Sequence, residues 1–368
     1  MRVLVTTDTA GGVWTFTREL VPGLMQRGLQ VTLVSFGGLP SPEQTRWMDE
    51  LPDLDYRPTC FMLEWMQDCH ESVAASQLYL EAVVAEVHPD LLHLNQFCYG
   101  DLPVDVPCIV TGHSDVVSWW RAVHGQTPPE KCWLSWYRDT VQKGLRSATV
   151  VTAPSQWMLS ALSEEYGPFH YSKVVHNGRD PRRFCPTDRK ENCVLCVGRL
   201  WDEGKNVSLL TRCRVSVPIN LVGWARSPDC VASTSLPTLP EGTLRLLGSK
   251  SEDELAALYS FSSVYCATSR YEPFGLAPLE AAFSGCALVL SDIATFRELW
   301  GDAAVFFHNN DAESLQACIE KMASDPHLRR QYASLAHQHA RKNFTSRRMV
   351  DDYLALYSQI RSAGAAAA

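Results

Sequence analysis

The sequence predicts an α/β protein built from two doubly wound parallel sheets, and three observations predict it. Short β-branched runs alternate with helical stretches from end to end, the pattern of parallel strands wrapped by helices. A Pro-rich, charged stretch over 179–192 interrupts the alternation, which then restarts. The 368 residues suffice for two full cores, and 46% hydrophobic with 20% charged residues is ordinarily globular.

In chain order, the first set of strands is read at 3–5, 31–34, 91–94, 109–110 and 149–151, with a helix over 13–26 between the first two. The second set is read at 194–197, 219–222, 244–247, 264–266 and 287–290. From Asp311 onward the composition is helical, and 346–360 has apolar residues at Met349, Val350, Tyr353, Leu354 and Tyr357. Residues beyond Ser362 are Ala-rich and uninformative, and no solenoid repeat is apparent.

Composition excludes several classes. A net charge of −8 argues against a general nucleic-acid binder, which neutralises phosphates over a broad basic surface. Any phosphate site is therefore local. Thirteen cysteines scattered singly through apolar runs look like buried thiols. Cys193 and Cys196 form a C-x-x-C that a strand splits onto opposite faces, so no metal site is expected. The apolar run over 1–7 ends at Asp8, too brief for a signal-peptide core, and no segment has the roughly 20 apolar residues of a membrane span. The expected location is the cytoplasm, with peripheral membrane contact left open.

The most informative stretch is 271–280, YEPFGLAPLE, which places Glu272 in a loop and Glu280 in the helix that follows, seven residues between them. The run 276–283 is helical in composition, stops at Gly285, and carries Pro278 in its first turn. Amides of Gly275, Leu276 and Ala277 then open the helix, where phosphate oxygens bind, with Phe274 alongside. Glu280 leans back toward the same anion while Glu272 approaches from the loop. Two acids beside a phosphate need other partners, and sugar hydroxyls suit a carboxylate, which is a pure acceptor. A phosphate flanked by sugar hydroxyls describes a nucleotide sugar.

Three further strand ends carry chemistry. Asp8-Thr9-Ala10-Gly11-Gly12 follows the first strand, and Gly11 and Gly12 let the backbone approach an anion. The dinucleotide fingerprint G-x-G-x-x-G is missing there, which weakens a dehydrogenase reading. Gly198-Arg199 through Lys205 sets a guanidinium and an ammonium six residues apart after a strand, able to converge on one pyrophosphate. His113, after the strand at 109–110, has Ser114 and Asp115 beside it, whose side chains diverge too far to form a triad. Trp119-Trp120 and Trp133 with Trp136-Tyr137 flank the loop Thr127-Pro128-Pro129 and suit either a core or the acceptor side of a sugar site.

These elements resemble those of the retaining glycosyltransferases of family 4, which carry G-R-x5-K and E-x7-E in this order. Ala153-Pro154-Ser155 and His176-Asn177-Gly178 also resemble family positions. The resemblance spans about residues 1–345 and implies the GT-B fold: a Rossmann-like acceptor-side domain over 1–170, a nucleotide-sugar domain over 171–345, and a cleft between them. The helix over 346–362 is then expected to pack back onto the first domain. The resemblance implies that Glu280 binds ribose and that Glu272 and His113 face the transferred sugar. Arg199 and Lys205 would stabilise the leaving diphosphate, with Gly12 and the amides around 275–277 near it.

The activity it implies is retaining transfer from a nucleotide sugar, UDP-linked first and GDP-linked second, to a glycan, lipid-linked or small-molecule acceptor. No cofactor is implied, nor a metal, since no Asp-x-Asp motif ends a strand. A hydrolase or epimerase of the same fold, or a non-catalytic nucleotide-sugar-binding protein, remains an alternative because fold and donor site do not fix what attacks the anomeric carbon.

Overall fold

A computed structural model describes residues 1–9, 11–226 and 243–367. The chain divides into two compact units, one of Met1–Ser118, Thr127–Gly178 and Ser346–Ala368, the other of Trp119–Gln126 and Arg179–Thr345. The strands of the first unit are β1 (Arg2–Asp8), β2 (Gln30–Phe36), β3 (Asp55–Pro58), β4 (Leu91–Leu94), β5 (Cys108–Thr111), β6 (Val150–Ala153) and β7 (Ser172–Val174). They form one parallel sheet in the order β3-β2-β1-β4-β5-β6-β7. Val3 to Asp8 of β1 are buried on both faces, as a central parallel strand requires.

Two helices cover one face of this sheet, Gly12–Met25 and Ser346–Ala367. The second turns Met349, Val350, Tyr353, Leu356, Tyr357 and Ile360 into the core, a stripe of i, i+3 and i+4 spacing. Its approach to the first helix is close enough that a Cβ on Gly23 would come within 2.5 Å of Val350.

The C-terminal helix is also pinned by a polar group. Tyr357 Oη lies 2.6 Å from His93 Nδ1, and His93 Nε2 lies 3.0 Å from Thr111 Oγ1. Burial lowers the His93 imidazole to about 3, so it is neutral at pH 7. In the unfolded chain the ring ionises near 6.5, so below that pH the unfolded state binds a proton that the native state refuses. The stabilisation is present above about 6.5 and is lost as pH falls toward 3. Between pH 7 and 5 this one ring is expected to cost about 2 kcal/mol of stability. Thermal melts of wild type and His93→Gln at both pH values check it, because the substitution should flatten the acid limb. Identical limbs would remove the assignment.

The second unit holds β8 (Glu191–Val197), β9 (Ile219–Val222), β10 (Leu244–Gly248), β11 (Ser262–Ala267), β12 (Ala287–Ser291) and β13 (Val305–Phe307), all parallel, in the order β10-β9-β8-β11-β12-β13. Helices Glu252–Phe261, Leu276–Phe283 and Pro326–Asn343 enclose one core with Phe184 and Phe344, while Ala312–Ser324 and the turn Val207–Arg212 enclose another. Ser251 and Glu254 close a reciprocal capping box at the start of Glu252–Phe261.

In each sheet the strand order reverses once, between β1 and β4 and between β8 and β11. Crevices outside the carboxyl ends of such reversal points are where open α/β sheets bind ligands. The loop after β1 holds Gly11 and Gly12, and the loop after β4 begins with Asn95. In the second unit the loop after β8 carries Arg199 and Lys205, and that after β11 carries Glu272 and Gly275. No helix among the described residues is long and apolar enough to cross a membrane.

Candidate functional site

The second unit brings its two loops into direct contact. Arg270 donates its backbone N–H to the Gly204 carbonyl at 2.8 Å, Tyr271 does the same at 3.2 Å, and Thr268 Oγ1 donates to the Lys205 carbonyl at 2.9 Å. These bonds fix Lys205 against the segment bearing Glu272, and Lys205 Nζ forms an ion pair with Glu272 Oε2. Ser269 Oγ lies 3.4 Å from the same oxygen. Arg199 turns to Asp202 at 2.7 Å, and the other Asp202 oxygen accepts the Gly204 N–H at 2.8 Å. The guanidinium stays 58% exposed and lies over Trp201, so it can swing to an anion at small cost.

Gly275 opens the helix Leu276–Phe283 with φ +92°, a conformation that suits glycine. A Cβ there would also crowd Glu272, Phe296 and Pro278 at 3.2 Å each. The amides of Leu276 and Ala277 lie in the first turn, where no intrahelical acceptor exists, and Pro278 has no N–H to offer.

Glu280 sits within this helix, nearly buried, with Arg179 Nε at 2.9 Å. Burial pushes its carboxyl up, and Arg179 and the Tyr259 hydroxyl act against that rise. Each acid of the pair thus has a cation beside it, Lys205 for Glu272 and Arg179 for Glu280. Protein cations therefore lie against one oxygen of each carboxylate.

In the first unit, His113 Nε2 lies 2.7 Å from Asn95 Oδ1. Asn95 Nδ2 donates to the Thr6 carbonyl at 2.6 Å, which fixes the amide so that Oδ1 faces the ring. An amide oxygen only accepts, so Nε2 carries the proton and Nδ1 keeps its lone pair. Burial lowers this imidazole to about 3 as well, and Phe16 packs at its edge. Gly11 has φ +71° just ahead of Gly12, the first residue of its helix. Ala10 of the same loop lies outside the described residues.

Other sequence candidates have structural employment. Asp115 accepts from the Ser118 N–H, Tyr137 Oη and Tyr166 Oη, and Ser155 caps the helix Gln156–Tyr166. His176 Nδ1 meets the Pro154 carbonyl at 2.9 Å. Trp133 stacks on Tyr137 and donates to the Met66 carbonyl, and Trp136 packs on His70, so this cluster belongs to the core of the first unit. Trp119 and Trp120 fall in the second unit. Among the described residues no group of acids, histidines and cysteines could hold a metal, and the described cysteines are free thiols.

Sequence reasoning missed Asn95, Asp202 and Arg179. Asn95 and Asp202 could have been found as polar residues at strand ends. Nothing in the polar stretch around Arg179 announces that its side chain is only 2% exposed.

Two doubly wound parallel-sheet units, each with one reversal of strand order, are the architecture of the GT-B fold. Residues 10–183 match the family model described as Glycosyltransferase Family 4, and residues 182–339 that described as Glycosyl transferases group 1. The chain belongs to the GT-B glycosyltransferases of group 1, family 4 type.

Among curated relatives, the glycogen synthase of Mycobacterium tuberculosis is 26% identical over 280 residues, 70% of this chain and 65% of that protein. The O-antigen chain mannosyltransferase RfbU of Salmonella typhimurium is 27% identical over 157 residues, 42% of this chain and 44% of that protein. Matches therefore span less than two thirds of these relatives. Among solved structures, the sucrose-phosphate synthase of Thermosynechococcus elongatus superposes with a TM-score of 0.81 at 18% identity, covering 99% of this chain and all of that one. Anabaena HepE in complex with UDP-glucose gives 0.75 at 17% identity, covering 98% and 100%. At these identities the structures show a shared fold.

Proposed function

We propose that the chain transfers a glycosyl group from a nucleotide sugar, UDP-linked before GDP-linked, to a hydroxyl of a glycan, lipid-linked or small-molecule acceptor, with retention at the anomeric carbon. The observation that carries this reading is the arrangement at the β8/β11 reversal, where Lys205 meets Glu272 and Arg179 meets Glu280 beside the opening of a helix. A UDP-linked donor is favoured because HepE of the same fold has been solved with UDP and with UDP-glucose.

In this reading the diphosphate lies against the first-turn amides, and Lys205 leaves Glu272 to meet it. Glu272 then turns to hydroxyls of the transferred sugar, and Glu280 accepts from the ribose. Arg199 swings from Asp202 to a phosphate oxygen. As the sugar–phosphate bond lengthens, negative charge grows on the leaving diphosphate and positive character on the anomeric carbon. Fixed cations and amides aimed at that growing negative charge are the large catalytic term. His113 offers an unprotonated Nδ1 as acceptor for a sugar hydroxyl, and the loop at Gly11 and Gly12 gives backbone access to the phosphates.

Arg199 and Lys205 supply positive charge of the kind a divalent ion supplies elsewhere, so turnover is expected to survive chelation. The test is product analysis over UDP- and GDP-sugars, with and without a glycan acceptor panel, each with and without EDTA. Acceptor-dependent glycoside formation that EDTA leaves intact is the expected result. Release of free sugar without acceptor dependence would replace the transferase by a hydrolase, and restoration only by Mg²⁺ or Mn²⁺ would remove metal independence.

A further inference from the structure

Arg179 is a fully buried guanidinium held from every side. Its Nη2 lies 2.5 Å from Glu252 Oε1, its Nε lies 2.9 Å from Glu280 Oε1, and its Cζ stands 5.0 Å over the Phe184 ring. Its backbone N–H donates to the Phe344 carbonyl at 3.1 Å, and the residue pairs with Thr345 as an isolated β-bridge. Main chain, ring and two carboxylates thus fix a planar fork whose one side is applied to Glu280.

We propose that Arg179, acting through Glu280, is the positioning residue that makes this site select a ribonucleoside over a 2′-deoxyribonucleoside diphosphate. The inference rests on the reading of Glu280 as the ribose acceptor and adds what prepares it. An ionised carboxylate has roughly four acceptor positions. Arg179 Nε stands 2.9 Å from Oε1, an ion pair that favours the ionised carboxylate, the form that can accept both donors of a vicinal diol. A guanidinium held by Glu252, by the Phe184 ring and by its own main chain also keeps its charge against Oε1, where a mobile ammonium would wander.

Charge works in the same direction. The ionisable groups facing Glu280 are Arg179, Glu252, Tyr259 and Tyr265, and Arg183 reaches the triad through Glu252 at 3.1 Å. Burial and Glu252 both push the Glu280 carboxyl toward its protonated form, and Arg179 is the largest opposing influence. Without it, Glu280 tends to carry a proton, and a protonated oxygen loses acceptor capacity toward the diol.

The experiment measures, by isothermal titration, the dissociation constants of UDP and 2′-deoxy-UDP, and of GDP and 2′-deoxy-GDP, with inorganic pyrophosphate as a ligand that lacks ribose. Wild type is expected to prefer the ribose form by roughly tenfold. Glu280→Gln and Arg179→Met are each expected to bring that ratio near one at pH 7 while pyrophosphate binds as before. Raising the pH should restore the preference in Arg179→Met and leave Glu280→Gln unchanged, a difference that general damage to the fold would not produce. Should Arg179→Met fail to fold, Arg179→Lys, which keeps the charge and loses the fork, is expected to show a ratio at least threefold below wild type. Folded Arg179 variants with the wild-type ratio, beside a Glu280→Gln that has lost it, would overturn the inference and leave the ribose reading standing. A Glu280→Gln with the wild-type ratio, or a wild type without ribose preference, would remove both.

Discussion

Lys205→Ala is expected to lower turnover by about a hundred- to a thousandfold, the loss typical of removing one fixed donor from a developing negative charge. Two effects add. The ammonium no longer meets the diphosphate, and Glu272 keeps its charge in a nearly buried place with its cation gone. An uncompensated carboxylate beside the phosphates should weaken nucleoside diphosphate binding beyond the lost attraction. The double variant Lys205→Ala/Glu272→Gln separates the two, because removing the repulsion should recover part of the affinity and none of the turnover. Steady-state rates and isothermal titration read both quantities. Wild-type turnover in Lys205→Ala would end the assignment of Lys205 to the leaving group.

The architecture was legible because the central strands are continuous apolar runs. β1, β4, β5, β6, β8, β9, β11 and β12 are flanked on both sides in their sheets, and each shows a β-branched or leucine-rich segment in the sequence. The strands that sequence reasoning passed over are β3, β7 and β13, all edge strands of three or four residues. An edge strand has one neighbour and one wet side, so its composition drifts toward that of a loop. Tyr56, Arg57 and Pro58 in β3 illustrate this, with Arg57 spending its charge on Asp55 and Glu86.

The candidate site was legible for a different reason. Arg199 and Lys205 stand at fixed spacing in the loop after β8, with Glu272 in the loop after β11 and Glu280 in the helix that follows, and the strand order that puts those loops side by side follows from one reversal at β8 and β11. Pairings were not legible. Nothing in the spacing of Arg199 and Lys205 says that one turns to Asp202 and the other to Glu272, since each choice depends on a loop contact such as that of Arg270 with the Gly204 carbonyl. Arg179 was missed because an ion pair to Glu280, about a hundred residues on, leaves no periodic trace, and the pairing of Asn95 with His113, 18 residues on, was invisible for the same reason.

Those pairings sharpen the expected division of labour between the two acids. Glu280→Gln removes an acceptor that nucleotide sugar and product nucleotide share, so both ligands should weaken together, by about 1.5–3 kcal/mol for a charge-assisted contact. The change also leaves the buried Arg179 with Glu252 as its remaining carboxylate among the contacts described. Some loss of thermal stability should accompany it. Glu272→Gln acts in the opposite sense on the bare nucleotide. It releases Lys205 from its ion pair, so nucleoside diphosphate should bind as well as to wild type or more tightly, with no competing carboxylate for the ammonium. Turnover should nevertheless fall by about a hundredfold or more, because the partner lost belongs to the sugar that moves and its interaction counts in the transition state. Titration of each variant with a nucleoside diphosphate and with the corresponding nucleotide sugar, beside steady-state rates, reads the split directly. If both variants lose nucleoside diphosphate affinity equally, Glu272 holds the loop through Lys205 and reads no sugar.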